Sequence, residues 1–399
     1  MKTSIEFFQP TRIVIADGVI GLLPEYCNAH GKRVLIIYSA ELKVAANDVI
    51  ALLVGASFDV IDFMQTDPEP TCALIDVLAT EFKDRLPNSI VGLGGGSAID
   101  LAKALSIALT NPGGIWMYAN LSNRPPLPIV TPPIPLYAIP TTSGTGAEVT
   151  PYSVLTNEET FQKGTIQNPA IFPRVALIDP RYCLSMPPSL TASTGIDALA
   201  HALEASLNTS KPSPFAEVFG TKAINLILEW LPAAYKNGHN IEARRHLALA
   251  SCMAGIAISH RGTTAAHAIA EPLGALTKLP HSVSVAVATL PVLRATLRQT
   301  PTPLADIAKR VLAQSIDNSS EGNLAEDFYQ KIDFLMGSVG MKLTLRNLLP
   351  TDIIERQVPK LVDNIITFKS RPLKQHPVEF NRHSLELIVA DMLNQDNSI

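Results

Sequence analysis

The chain carries one carboxylate and three imidazoles whose placement could hold a divalent metal. In Thr194-Gly195-Ile196-Asp197-Ala198-Leu199-Ala200-His201-Ala202-Leu203-Glu204, Asp197 and His201 stand at i, i+4 and share a helix face. His267 follows on a helical stretch that Pro272 and Gly274 are expected to end, and His281 lies past the next loop. This mixed N/O set suits Fe²⁺ or Zn²⁺ with a position left open for substrate. Histidines held only by structural hydrogen bonds are the plain alternative.

Two further segments could hold a nucleotide. Gly92-Leu93-Gly94-Gly95-Gly96-Ser97-Ala98-Ile99-Asp100-Leu101-Ala102-Lys103 reads as a strand entering a glycine run that opens a helix. Backbone N–H groups at such a helix start can cradle a pyrophosphate, and glycine lets the phosphate approach closely. A tight turn at a sheet edge is the other reading. Pro140-Thr141-Thr142-Ser143-Gly144-Thr145-Gly146-Ala147-Glu148-Val149-Thr150 places hydroxyls and glycines directly after another strand. Strand ends of an open parallel sheet are where ligands sit, so the second loop could take the rest of a nucleotide; an ordinary Ser/Thr turn is the alternative.

These segments need positioning elements, and the first half alternates them. Strands are predicted at Arg33 to Tyr38, Phe58 to Phe63, Ser89 to Leu93 and Leu136 to Ile139. Helices are predicted at Leu42 to Leu53, Thr71 to Leu86 and from Ser97 onward. That alternation argues for a parallel sheet with crossover helices. Beyond Pro187-Pro188 the pattern becomes helical: Thr194 to Leu207, Phe215 to Ala234, Ile241 to Ala270, Pro303 to Ile316, Leu324 to Val339, and a tail from Ser384. The domain boundary is therefore placed there, giving an α/β domain over 1–187 and an all-helical domain over 188–399.

Composition excludes several classes. Of 399 residues, 47% are apolar and 17% charged, enough for large cores and unlike a disordered chain. A net charge of −4 does not fit phosphate neutralisation, so no nucleic-acid partner is expected. The apolar runs are too short to span a membrane. Four scattered cysteines form no C-x-x-C pair and read as reduced thiols. The expectation is a soluble, cytoplasmic protein.

Taken together, the segments resemble the iron-containing (group III) alcohol dehydrogenase family over nearly the whole chain. Gly94-Gly95-Gly96-Ser97-x-x-Asp100-x-Ala102-Lys103 is similar to its phosphate loop, and Pro140 to Thr150 to its second nucleotide loop. Thr194 to Glu204, His267-x-x-Ala270-x-Pro272-Leu273-Gly274 and Pro280-His281 are similar to its metal-ligand segments. The resemblance implies a Rossmann-like nucleotide-binding domain followed by an all-α metal-binding domain, the fold shared with dehydroquinate synthase. It implies metal ligands Asp197, His201, His267 and His281, with Fe²⁺ or sometimes Zn²⁺. NAD(H) or NADP(H) would lie on Ser39, Gly94, Gly95, Gly96, Ser97, Asp100, Thr141, Thr142, Thr145 and Lys163. The implied reaction interconverts a small alcohol and its carbonyl compound, and a dimer or larger homo-oligomer is usual. Arg12 to Ile15 could pair between subunits or within the chain.

The sequence also departs from the family pattern. Glu271 stands where many members carry a second histidine, one associated with the nicotinamide and proton relay; His267 and Glu271 are therefore the catalytic candidates. Ser39 stands where NAD-preferring relatives often have Asp, whose carboxylate repels a 2′-phosphate, so NADP(H) is admissible. Glu69 stands where Asn is common, removing a pair of donors. A continuous helix would align His260, Thr264, His267 and Glu271, and with Arg261 this polar stripe would line a pocket for a small polar aldehyde or hydroxy-carbonyl compound; a surface Arg261 and a structural His260 are the alternative. A dehydroquinate synthase-like lyase, a metal-free maleylacetate-type reductase and a non-catalytic nucleotide-binding protein are the competing readings.

Overall fold

The computed structural model describes residues 5–65, 69–121, 124–160, 162–312 and 320–394. Two compact units divide the chain, one spanning Gln9–Ser185 and the other Met186–Ile399 together with the N-terminal segment through Phe8. The division thus falls two residues before the boundary expected from Pro187-Pro188, and residues 5–8 group with the helical unit.

The α/β unit is built on a six-stranded parallel sheet in the order β1-β8-β5-β4-β2-β3. Its strands are β1 (Arg12–Ile15), β2 (Arg33–Ser39), β3 (Asp59–Gln65), β4 (Ser89–Gly94), β5 (Leu136–Pro140) and β8 (Val175–Ile178). An antiparallel hairpin, β6 (Tyr152–Asn157) with β7 (Gln162–Gln167), stands apart from it. Helices α1 (Leu23–Asn28), α2 (Lys43–Gly55), α3 (Cys72–Glu81) and α4 (Gly96–Ala108) connect the strands. Strands β2, β4 and β5 are buried almost throughout, as β-branched and apolar runs covered on both faces require. Strand β1 pairs with β8 of the same chain, so the pairing of Arg12 to Ile15 is intrachain.

Helix α4 carries a fully buried lysine. The Lys103 ammonium donates to the Tyr152 carbonyl (2.7 Å) and to Thr150 Oγ1 (3.2 Å). Asp100 lies 3.9 Å from it and accepts the Val154 N–H at 3.0 Å, so this pair ties α4 to β6. Burial pushes Lys103 down to about 8, Asp100 up to about 6 and the neighbouring Glu148 up to about 7.

The helical unit comprises α5 (Pro188–Leu207), α6 (Pro214–Lys236), α7 (Ile241–Arg261), α8 (Ala265–Thr277), α9 (His281–Gln299), α10 (Thr302–Leu312), α11 (Glu321–Ser338) and shorter helices ending with Arg382–Asn394. Helix α5 is buried at nearly every position, because its Ala, Gly, Ser and Thr residues let neighbours approach. A Cβ on Gly195 would lie 2.4 Å from Leu231 Cδ1, so α6 packs directly on its backbone. Ile196, Leu199 and Leu203 meet Ile224, Ile227 and Phe328 in the main core. Among the described residues no helix is long and apolar enough to cross a membrane.

Two expectations fail here. The helix predicted from Ile241 to Ala270 breaks after Arg261, because Gly262 takes a φ of +79° and the Asn208 amide donates to the Arg261 carbonyl at 2.6 Å. Pro272 and Gly274 do not end α8. That helix continues to Thr277, where Lys278 turns left-handed with φ +63°, and its packing on α9 outweighs the one backbone bond Pro272 cannot donate. Helix α10 is observed to Leu312, and the remainder of the stretch predicted to Ile316 lies outside the described residues.

The buried Glu148 makes the unit's stability depend on pH. Its folded-state pKa is raised from 4.5 to about 7, so the folded chain holds a proton that the unfolded chain has released. Unfolding free energy attributable to this group therefore falls as pH rises through that window and is fully present below it. Glu148→Gln removes the effect. Urea denaturation at several pH values should show the variant gaining on the parent by on the order of 3 kcal/mol across the window. A gap that does not change with pH would refute the assignment.

Candidate metal centre

Asp197 lies midway along α5, His267 in the first turn of α8 and His281 at the first residue of α9. One ligating atom from each converges with the others to within 4.8 Å. Asp197 Oδ1 is 3.4 Å from His267 Nε2 and 3.7 Å from His281 Nε2. His201, one turn after Asp197, stacks on the His267 ring with centroids 4.5 Å apart. The structure thus brings three of the four expected ligands to one point and sets His201 beside them.

Both Asp197 oxygens and His267 Nε2 are buried without a hydrogen-bond partner among the described residues. Buried polar atoms seldom go unpaired, so their convergence itself calls for a shared partner. The other side of His267 is fully engaged. Its Nδ1 donates to Glu204 Oε2, while Glu204 Oε1 accepts the Thr264 N–H (2.9 Å), the Thr264 hydroxyl (3.2 Å) and the His267 N–H (3.2 Å). An ionised carboxylate can only accept, so Nδ1 carries a proton and Nε2, the ring atom facing Asp197, is the one a metal would take in place of a proton.

The electrostatics ask for a cation. Burial opposes ionisation of Asp197, yet His201, His267 and His281 together hold its carboxyl well below the usual range. Burial likewise opposes a charged His267, but Glu204 and Asp197 push it up to about 10. Two buried carboxylates therefore draw positive charge to this spot, and a divalent ion with N and O ligands satisfies them as a proton does. The donor set fits Fe²⁺ or Zn²⁺.

Glu271 lies one turn after His267 on α8, where its carboxylate pairs closely with the Lys369 ammonium. Burial opposes its ionisation, and Lys369, with His281 and His267 farther off, lowers its pKa. The stripe expected from a continuous helix does not form. His260 instead accepts the Phe8 N–H at 3.2 Å and stacks on Phe7, while Arg261 donates to the Lys211 carbonyl and pairs with Glu217.

The nucleotide-loop candidates gather in the α/β unit. Strands β4 and β5 are neighbours, and Thr141 N–H donates to the Gly94 carbonyl at 3.0 Å. Gly94 has a φ of +156°, and a Cβ there would lie 2.7 Å from Ala98 and 3.0 Å from Ser39 Oγ. A Cβ on Gly95 would meet Thr142, and one on Gly96 would meet Thr145. Ser39, Gly94 to Ser97, Thr141, Thr142 and Thr145 thus share one end of the sheet, at the crevice between β2 and β4 where connections change direction. Asp100 is turned to the Val154 N–H, and Lys163 pairs with Glu69, which also accepts the Thr156 hydroxyl.

Comparison with known proteins decides the family. The pattern described as "Iron-containing alcohol dehydrogenase" matches residues 10–180, and "Fe-containing alcohol dehydrogenase family, C-terminal" matches residues 191–393. The chain belongs to the iron-containing alcohol dehydrogenase family. A 1,3-propanediol dehydrogenase of Citrobacter freundii is 33% identical over 86% of this chain and 87% of its own. Alcohol dehydrogenase 4 of Saccharomyces cerevisiae is 34% identical over 72% of this chain and 74% of its own. The crystal structure of a 1,3-propanediol oxidoreductase superposes with a TM-score of 0.89, 30% identity and coverage of 98% of this chain and 100% of that one. The sulfoacetaldehyde reductase of Bifidobacterium kashiwanohense, solved with NAD⁺, gives 0.84 at 28% identity over 99% and 100%.

Members of this family are oxidoreductases acting on a CH–OH group, and this chain is an alcohol dehydrogenase of that type. The lyase reading falls with that assignment. Sequence reasoning left Lys369 and His376 unnoticed, since no motif joins them to α8; their bonds to Glu271 and Thr264 span 98 and 112 residues. Replacing Asp197 with Asn, or His267 with Ala, should cut metal content and kcat/KM together. The loss should exceed the roughly 100-fold that an outer-shell residue alone can cause. Metal analysis of the purified variants checks this, and stoichiometric metal in both would refute the site.

Proposed function

We propose that this alcohol dehydrogenase holds one divalent metal through Asp197, His201, His267 and His281, and reduces or forms small carbonyl compounds with a nicotinamide cofactor. The observation that carries the reading is the convergence of orphaned buried atoms from Asp197 and His267 with His281. His201, one turn after Asp197 and stacked on the His267 ring, is the fourth ligand of this reading. Fe²⁺ is the family's usual ion, while the Irving–Williams order favours Zn²⁺, so the metal carried follows availability. When bound, the metal supplies Lewis acidity to the substrate oxygen and the nicotinamide supplies or accepts the hydride.

The chain's own residues do the remaining work. Glu204 fixes the His267 ring and its tautomer. Gly94, Gly95, Gly96 and Ser97 open α4 for the cofactor's pyrophosphate, with Thr141, Thr142 and Thr145 beside them. Lys163 and Asp100 belong to the cofactor's surroundings, Asp100 by bracing β6 and Lys163 through Glu69. Ser39 leaves room for a 2′-phosphate, which supports use of NADP(H) beside NAD(H). Four buried free cysteines support a cytoplasmic setting. A homo-oligomer, dimer or larger, completes the reading, with β1 at the sheet edge available to a second copy.

A polar substrate is favoured by the Glu271–Lys369 pair rather than by His260 or Arg261. Placed one turn from His267, it offers a carboxylate and an ammonium to the far end of a small aldehyde. Glu271, kept ionised by Lys369, orients that ammonium.

Two outcomes follow. Ser39→Asp should lower the NADP/NAD ratio of kcat/KM, because the new carboxylate repels a 2′-phosphate; an unchanged ratio would refute the role of Ser39. Lys369→Met should cost an acidic aldehyde about tenfold or more in kcat/KM relative to an aliphatic aldehyde of equal length. Equal losses for the two substrates would remove the polar-end assignment.

A further inference from the structure

Helix α8 begins in an unusual way. Thr264 is its N-cap residue, with φ −132° and ψ −123°, yet its side chain accepts no bond from the first turn. Ordinarily a threonine at that position would cap the N2 or N3 N–H itself. Here Glu204, from α5, accepts the His267 N–H in its place, which frees the Thr264 hydroxyl for other partners.

The freed hydroxyl joins a buried chain. Thr264 Oγ1 lies 3.2 Å from Glu204 Oε1 and 3.0 Å from His376 Nδ1, and His376 Nε2 lies 2.9 Å from Thr296 Oγ1. All four residues are at most 5% exposed. One end sets the direction of every proton. Glu204 is a carboxylate and can only accept, so Thr264 donates to it. Thr264 then accepts from His376 Nδ1–H, which leaves Nε2 to accept from Thr296. Thr296 also lies 2.8 Å from the Val292 carbonyl, a neutral bond that competes less well than one feeding a charge-assisted chain. The ring is further held against Phe380, with centroids 5.1 Å apart.

We propose that His376 is a positioning residue for the metal centre, fixing His267 through Thr264 and Glu204. Without the Nδ1 donor the Thr264 hydroxyl is free to rotate, Glu204 loses one of its four donors, and the plane of the His267 ring is less well defined. His376 itself touches neither metal nor substrate. The inference rests on the metal reading above.

Zn²⁺ affinity of the full-length protein, measured by chelator competition, and the visible spectrum of the Co²⁺-substituted protein test it. His376→Leu removes the donor, whereas His376→Asn keeps an amide N–H near the Nδ1 position. The leucine variant should bind Zn²⁺ about tenfold more weakly, with shifted Co²⁺ bands, and the asparagine variant should stay close to the parent. Should His376→Leu not fold, Thr264→Val against Thr264→Ser asks the same question, with the loss expected only in valine. Equal affinity and spectra in a donor-lacking variant and the parent overturn the proposal. So does an equal loss in the conservative variant, since that would reflect packing. A parent that binds no Zn²⁺ or Co²⁺ overturns the metal reading and this inference with it.

Discussion

Two carboxylates buried on one helix set the terms for the helical unit. Asp197 is fully buried and Glu204 nearly so, and they stand two turns apart on α5, on the face that also bears His201. Burying ionised carboxylates costs several kcal/mol each unless partners compensate. The compensation comes from α8 and α9: His267 lies between the two carboxylates and His281 approaches Asp197. Helix α5 can occupy this central position because alanine, glycine and small hydroxyl residues coat it. Its neighbours approach closely enough for histidines from separate helices to reach one point. The packing of small residues and the placing of charge are thus one arrangement.

Much of this was legible in sequence, for local reasons. The Asp197/His201 spacing reads directly as one helix face, and the glycine run after Val91 to Leu93 reads as a strand opening into a helix. The parallel α/β half followed from alternating periods. What was not legible depends on chain reversals and long-range contacts. One left-handed glycine, Gly262, splits the helix that would have aligned His260 with Glu271, and His260, before the break, turns to the Phe8 N–H instead. Asp100 matched a nucleotide motif, but its carboxylate is spent on the Val154 N–H. Lys369 and His376 carry no local signature, because their importance comes from what folding lays beside them.

The α/β unit solves a related problem differently. Lys103 is enclosed with Asp100 and Glu148 near it, and burial pushes all three towards their neutral forms. There the charges brace α4 against β6, directly behind the glycine run that opens α4. A helix tied to a strand in this way resists tilting, which fixes the direction of the N–H groups in the loop that opens it. Buried ionic groups in this unit serve positioning, at a cost in stability that Glu148 makes measurable.

The stretch from Lys369 to His376 links the start and the middle of α8. Lys369 meets Glu271 in the middle of that helix, and His376 meets Thr264 at its start. Between these points lies His267. The chain therefore holds α8 at its start and again one turn past His267, using a segment only eight residues long. Gln375, inside that segment, also accepts the Thr209 N–H through its carbonyl at 2.8 Å, which ties it to the end of α5. The residue that orients His267 and the residue that meets Glu271 are thus fixed to the same short piece of backbone. A change that shifts this backbone moves both contacts together, whereas a change of either side chain alone separates them. The Thr264 and Glu271 contacts are in this way independent in chemistry but mechanically joined.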